Sequence, residues 1–129
     1  MEQAVLNDQF AKHLQIEILE TRRGYAKVRL KVQPHFLNGL QFAHGGVVFS
    51  VADYAFALAS NTQDETALGI NSSINFIKAS RLGDDLVAEV SEVSRSRRLG
   101  TYQGTVTDQN GVILAQFQAI AYLKRIKEG

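Results

Sequence analysis

Gly45-Gly46-Val47-Val48-Phe49-Ser50-Val51-Ala52-Asp53-Tyr54-Ala55-Phe56-Ala57-Leu58-Ala59-Ser60-Asn61 is the longest apolar segment of the chain, and its reading decides the fold. It contains no proline and closes on the polar Thr62, Gln63 and Asp64, so it reads as one long helix. Its apolar side chains fall on every side of that helix. A helix apolar all round must be buried over most of its surface. A flat sheet covers only one side. The sheet must therefore curl around the helix, or a second copy of the chain must cover what remains.

Sheet-forming segments stand on both sides. Upstream, Gln15 to Arg22 and Tyr25 to Val32 read as a strand pair turning at Arg23-Gly24. In the second of these, Ala26, Val28, Leu30 and Val32 alternate with Tyr25, Lys27, Arg29 and Lys31, which predicts one buried and one wet face. Downstream come Ala67 to Lys78, Asp85 to Ser94, Leu99 to Thr107 and Val112 to Lys124. The last two are joined by Asp108-Gln109-Asn110-Gly111, a hairpin signal because Asn-Gly tolerates positive φ. Val5 to Leu14, with Leu6, Phe10 and Leu14 four apart, predicts a short amphipathic helix. Runs of sequential strands favour an antiparallel sheet, so the class is α+β, with residues 1–129 read as one domain.

Composition excludes several function classes. The 129 residues are 45% apolar and 21% charged, with a net charge of +1. So small a charge does not argue for nucleic acid or a membrane surface as the main partner. The chain has no cysteine, which excludes disulfides and thiolate chemistry. His13, His35 and His44 do not have metal-ligand spacing, so neither metal nor cofactor is expected. The N-terminus lacks the pattern of a secretory leader and no apolar run has bilayer length, which makes the cytoplasm the expected location.

Two features of the helix carry chemistry. Asp53 lies in its middle, and its neighbours three and four positions away are Phe49, Ser50, Phe56 and Ala57, none of them cationic. A carboxylate so placed loses solvation, and its pKa should rise. Such a group is either a reactive acid or a structural one that reaches solvent or a distant arginine. At the helix start, His44-Gly45-Gly46 lets a ligand approach the backbone closely, where unpaired N–H groups suit a developing oxyanion. The same glycines would also serve a tight turn. Gly45 and Asp53 are eight residues apart, which is about 12 Å along a helix axis. One reacting carbon cannot touch both, so joint action requires a second copy of the helix and composite sites across a two-fold axis.

Asn38-Gly39-Leu40-Gln41-Phe42-Ala43-His44-Gly45-Gly46 followed by Val51-Ala52-Asp53-Tyr54-Ala55-Phe56-Ala57 resembles the hotdog-fold acyl-CoA thioesterases, in particular the phenylacetate-degradation (PaaI-type) branch. Ser73-Ile74-Asn75-Phe76-Ile77-Lys78 looks like that family's third strand, and Arg95-Ser96-Arg97-Arg98 with Tyr102 like its next hairpin. Where members often carry an Arg-Pro pair after that strand, this chain has Lys78-Ala79. The resemblance implies a curled antiparallel sheet of five to six strands around one helix, paired into homodimers and often homotetramers. It implies an acyl-CoA substrate, aryl-acetyl or medium-chain. Asp53 would be nucleophile or general base, and the Gly45 N–H of the opposite subunit the donor to the thioester carbonyl. Asn38 would orient the water or the thioester, with His44 supporting the turn.

Around these residues, Gly46 and Asn75 are candidate substrate contacts, and Lys78, Arg97 and Arg98 candidate partners for the phosphates of CoA, because such cations suit them. A solvated hairpin tip is the alternative for the arginines. Two rival functions stand beside hydrolysis. One is a hotdog dehydratase or hydratase using His35. The other is a non-catalytic acyl-CoA-binding module, which has no need of an unpaired acid.

Overall fold

The computed structural model describes residues 3–125. A six-stranded antiparallel sheet curls around one long helix. The strands are β1 (Glu17–Arg22), β2 (Tyr25–Lys31), β3 (Thr66–Phe76), β4 (Asp85–Arg95), β5 (Leu99–Thr107) and β6 (Ile113–Lys124). They lie side by side in the order β1-β2-β4-β5-β6-β3. The helix, α3, spans Gly45–Ser60. Before β1 stand two short helices, α1 (Gln3–Leu6) and α2 (Gln9–His13), and a 3-10 turn over Pro34–Phe36 leads towards α3.

The alternation in β2 has the expected outcome: Ala26, Val28, Leu30 and Val32 are at most 1% exposed. The Asn-Gly hairpin forms between β5 and β6, with Gly111 at φ 79°. The N-terminal helix does not form as periodicity predicts. Asp8 interrupts it and caps α2, accepting a hydrogen bond from Ala11 N at 2.9 Å. A capping carboxylate in extended backbone outweighs the apolar spacing across it.

Helix α3 is held by apolar contact. Val51, Ala55, Leu58 and Ala59 are fully buried. Phe56 packs edge-on against Tyr102 at 5.4 Å and tilts against Phe117 at 6.1 Å. Each large side chain so buried contributes about 1.5–3 kcal/mol. The sheet does not close around the helix completely. Gly46 and Asp53 are exposed and Ser50 and Ala57 half-exposed, at spacings of four, three and four, so one stripe along α3 stays open.

The two sheet edges differ. β1 carries Glu17, Glu20 and Arg22, charges that deter pairing with another chain. β3 is bonded only to β6 and has no charged residue in eleven, and its Leu68, Ile70 and Phe76 are 68%, 57% and 57% exposed. None of the helices is long and apolar enough to cross a membrane, among the described residues.

Candidate active site

The N-terminal end of α3 is built by the turn that precedes it. Asn38 closes that turn on itself: its Oδ1 accepts from Leu40 N at 2.9 Å and Phe42 N at 3.1 Å, and its own N–H donates to Phe42 O at 2.7 Å. The Asn38 amide nitrogen is left without a protein acceptor among the described residues. Two longer-range bonds then fix the approach to the helix. Ala43 N donates to Ser80 O at 2.9 Å, and His44 N donates to Phe36 O at 2.8 Å.

His44 is the N-cap residue, at φ −62° and ψ 137°. Its Nδ1 accepts from Gly46 N at 2.8 Å, which puts the neutral ring's proton on Nε2. Val47 N and Val48 N both donate to His44 O, at 2.9 and 3.2 Å. Gly45 is therefore the position in the first turn whose N–H has no partner among the described residues. The sequence expectation of several free donors narrows to this one, since the Gly46 amide is taken by the His44 ring. The Gly45 N–H carries the positive end of the helix dipole.

Asn38, Gly45, Phe76, Lys78 and Ser80 line one cavity of about 270 Å³. The Phe76 ring lies against Gly45, where an added Cβ would sit 3.4 Å from its Cζ. Ser80 is 3% exposed, and its hydroxyl has no hydrogen-bond partner among the described residues.

Asp53 lines a different cavity of about 380 Å³, together with Asp8, Phe10, Ile16, Phe49 and Tyr54. It makes no hydrogen bond or ion pair among the described residues. It stands on the open stripe of α3, partly dehydrated but with a face to solvent. The sheet covers the rest of the helix surface and leaves this stripe open. Dehydration by its apolar neighbours, and then the like charge of Asp8, push the Asp53 pKa up from the ordinary carboxylate value. Ser50 is occupied within the helix, its Oγ donating to Gly46 O at 2.6 Å.

Other candidates are dispersed. Asn75 pairs with Gln116 across β3 and β6 and lines, with Ser73, Gln103 and Gln118, a polar hollow of about 470 Å³ away from both Gly45 and Asp53. Arg97 and Arg98 are exposed at the β4–β5 turn, which lies by the C-terminal end of α3. Within one chain they cannot reach the Gly45 cavity, because α3 is 16 residues, about 24 Å, long. Their neighbour Arg95 is committed elsewhere. It donates to Glu65 at 2.8 Å, Glu92 at 3.1 Å and the Tyr102 hydroxyl at 3.0 Å. His35, the base of the rival hydratase reading, is exposed beside the Phe36 ring and lines neither the Gly45 nor the Asp53 cavity. No cluster of metal-ligating side chains occurs among the described residues.

The chain thus presents, in separate cavities, a helix N–H without a partner among the described residues, beside an asparagine amide, and a carboxylate with a raised pKa. The profile of the thioesterase superfamily matches residues 40–115, which include Gly45 and Asp53. The acyl-coenzyme A thioesterase PaaI of Escherichia coli is 36% identical over 112 residues, 87% of this chain and 80% of that one. The structure of the E. coli PaaI protein from the phenylacetic acid degradation operon superposes with a TM-score of 0.90 at 34% identity, covering 97% of this chain and 89% of that one. A Streptococcus mutans protein bound to acetyl-CoA superposes with a TM-score of 0.81 at 29% identity, over 86% and 91% of the two chains. The chain belongs to the thioesterase superfamily, and its curled sheet around α3 is the hotdog fold.

Proposed function

We propose that this protein hydrolyses acyl-CoA thioesters with aryl-acetyl or medium-chain acyl groups, at composite sites built by two copies of the chain. The observation that carries the reading is the pairing of one unpartnered N–H, at Gly45, with one carboxylate free of any cation, at Asp53, in the same helix. The relative from E. coli is named an acyl-CoA thioesterase, and the S. mutans relative is bound to acetyl-CoA, which supports a CoA ester as substrate.

The two groups line separate cavities about 12 Å apart along α3. A thioester carbon must lie near 3 Å from both its nucleophile and its oxyanion donor. The edge strand β3, long, uncharged and bonded to β6 on one side only, offers the means of joining two copies. Pairing through it on a two-fold axis would set two α3 helices antiparallel, the open stripe of each against the other, and bring Gly45 of one protomer towards Asp53 of its partner. Two such dimers joined as a tetramer are compatible with this arrangement.

In the reaction, the carbonyl oxygen accepts from Gly45 N–H. Asp53 either deprotonates a water that attacks the carbonyl carbon, or attacks directly to give an anhydride that water opens. The C–S bond breaks as the tetrahedral adduct collapses, to the free acid on the water route or to the anhydride before water opens it, and the departing CoA thiolate takes up a proton, from the Asp53 carboxyl on the water route and from solvent on the other. Asn38 holds the water or the thioester through its free amide. His44 supports the loop by occupying Gly46 N, and so leaves Gly45 N as the donor. Lys78 lines the Gly45 cavity and suits the phosphates of CoA. Arg97 and Arg98 would reach a phosphate only from the partner. Asn75 would contact substrate only if that outer hollow takes part.

The test is thiol release from a panel of acyl-CoA esters by the wild type and by Asp53→Asn. Loss of about 10²–10⁴-fold in kcat is expected. Undiminished hydrolysis by the variant would overturn the assignment. Addition of water to an enoyl-CoA without thiol release would favour the hydratase instead.

A further inference from the structure

The cavity that holds Asp53 is not simply a place for a base. Its walls come from two parts of the chain far apart in sequence. Helix α3 gives Phe49, Asp53 and Tyr54, and the N-terminal segment gives Asp8, Phe10 and Ile16. The segment is fastened there. Tyr54 donates its hydroxyl to Val5 O at 3.1 Å, and Asp8 is fixed by its cap bond to Ala11 N at 2.9 Å. Phe10, a large apolar ring, is 59% exposed in the single chain, which is an unfavourable place for it unless something covers it.

The charges in the two cavities differ. The Gly45 cavity has Lys78 on its wall, whereas among the described residues no cation lines the Asp53 cavity, which has two carboxylates instead. An acyl-CoA has corresponding parts: a polyanionic nucleotide and an acyl group. We infer that the N-terminal segment forms the acyl chamber and acts as a charge filter, in which Phe10 and Ile16 receive a neutral apolar acyl group while Asp8 excludes acyl groups that end in a carboxylate. This deepens the proposed thioesterase reading and rests on it. A dicarboxylic acyl group would bring a third negative charge into a chamber that offers it no counter-ion, and specificity would come from that repulsion. Asp8 also raises the Asp53 pKa, so the two carboxylates sense each other across the chamber.

Matched substrates test this. Succinyl-CoA and butyryl-CoA have equal carbon counts and differ by a terminal carboxylate. Asp8→Asn removes the charge and keeps a good N-cap, so α2 is retained. The ratio of kcat/KM for succinyl-CoA to that for butyryl-CoA should rise roughly tenfold in Asp8→Asn, the weight of one like charge in a partly dehydrated cleft. Phe10→Ala should lower the ratio of kcat/KM for phenylacetyl-CoA to that for acetyl-CoA by roughly tenfold or more, through lost apolar contact. The filter is overturned if Asp8→Asn leaves the first ratio where it was, and the chamber is overturned if Phe10→Ala slows both esters by one common factor. Either failure with Asp53→Asn still inactive would leave hydrolysis standing. Activity in Asp53→Asn would remove the reading on which the filter depends.

Discussion

Gly45→Pro isolates one hydrogen atom. Gly45 is the first residue of α3, a position that tolerates proline because its N–H needs no intrahelical partner. The residue before a proline must be extended, and His44 already is, at φ −62° and ψ 137°. The glycine has no positive φ to lose. Its amide bonds to nothing among the described residues, so the fold forfeits no hydrogen bond. A Cβ there would sit 3.4 Å from Phe76 Cζ, an ordinary contact. The substitution should leave stability within about 1 kcal/mol of wild type, with a gain from the stiffer unfolded chain. Catalysis should respond quite differently, because loss of one oxyanion donor costs about 10²–10³ in kcat, or roughly 2.7–4 kcal/mol. Gly45→Ala adds the same Cβ and keeps the N–H, which makes it the reference. Thiol release from phenylacetyl-CoA, with thermal midpoint and assembly size measured on the same samples, gives the comparison. A kcat for Gly45→Pro within about threefold of Gly45→Ala, at equal stability, would refute the role of this amide.

Four further outcomes rest on the same structure. Gly45→Pro and Asp53→Asn chains, each inactive alone, should complement when refolded together. Random pairing gives half heterodimers with one intact site in two, so about a quarter of wild-type activity returns, whereas sites complete within one chain would return none. Asp53 must be ionised to act as base, so kcat/KM should fall as pH drops through its raised pKa, and Asp8→Asn should move that limb to lower pH. The sign for stability is opposite. A folded pKa above the unfolded value means the folded state binds the proton more tightly, so the contribution of Asp53 improves as pH falls through its titration, and Asp53→Asn should abolish that slope in denaturant titrations. Ser80→Ala should stabilise the fold by about 1 kcal/mol, since it removes a buried hydroxyl without a partner while the Ala43 N–Ser80 O bond is backbone and survives. A lower denaturant midpoint in Ser80→Ala would mean the hydroxyl is satisfied.

The parts of the fold legible in sequence are those set by short-range pattern. The β2 alternation, the apolar α3 and the Asn110-Gly111 turn each depend on neighbours within a few residues, and each is found. Reading failed where two local rules compete. At Asp8, capping defeats helical periodicity. It failed again where partners are distant: Arg95 looks like a free hairpin cation until Glu65, thirty residues away, is brought to 2.8 Å. At the site, the spacing of Gly45 and Asp53 was readable from helix rise alone. That His44 would occupy Gly46 N and so single out Gly45 was not, because the rotamer that brings Nδ1 back to the helix start leaves no trace in composition. Asp8 was missed as a neighbour of Asp53, since only the packing of α2 against α3 brings residues 45 apart into one cavity.

Assembly and basicity are one physical problem at Asp53. In the single chain the carboxylate lies on the open stripe of α3, where partial burial beside Phe49 and Tyr54 and the like charge of Asp8 already raise its pKa although water still reaches it. A second copy covering that stripe would displace the water. The remaining apolar contacts and the like charge of Asp8 would then act at a lower effective dielectric, and both raise the pKa. The same covering would bury the exposed Leu68, Ile70 and Phe76 of β3 and bring the second Gly45. The apolar burial on β3 would thus supply the free energy that opposes dehydrating an acid. Specific activity should therefore fall on dilution in step with dissociation. Moreover, any activity surviving in a β3-charged variant such as Ile70→Lys should be that of its residual dimer alone. Activity measured across a dilution series, alongside sedimentation on the same samples, decides it. Constant specific activity down to the sedimentation coefficient of a single chain would show that Asp53 and Gly45 do not need each other's subunit.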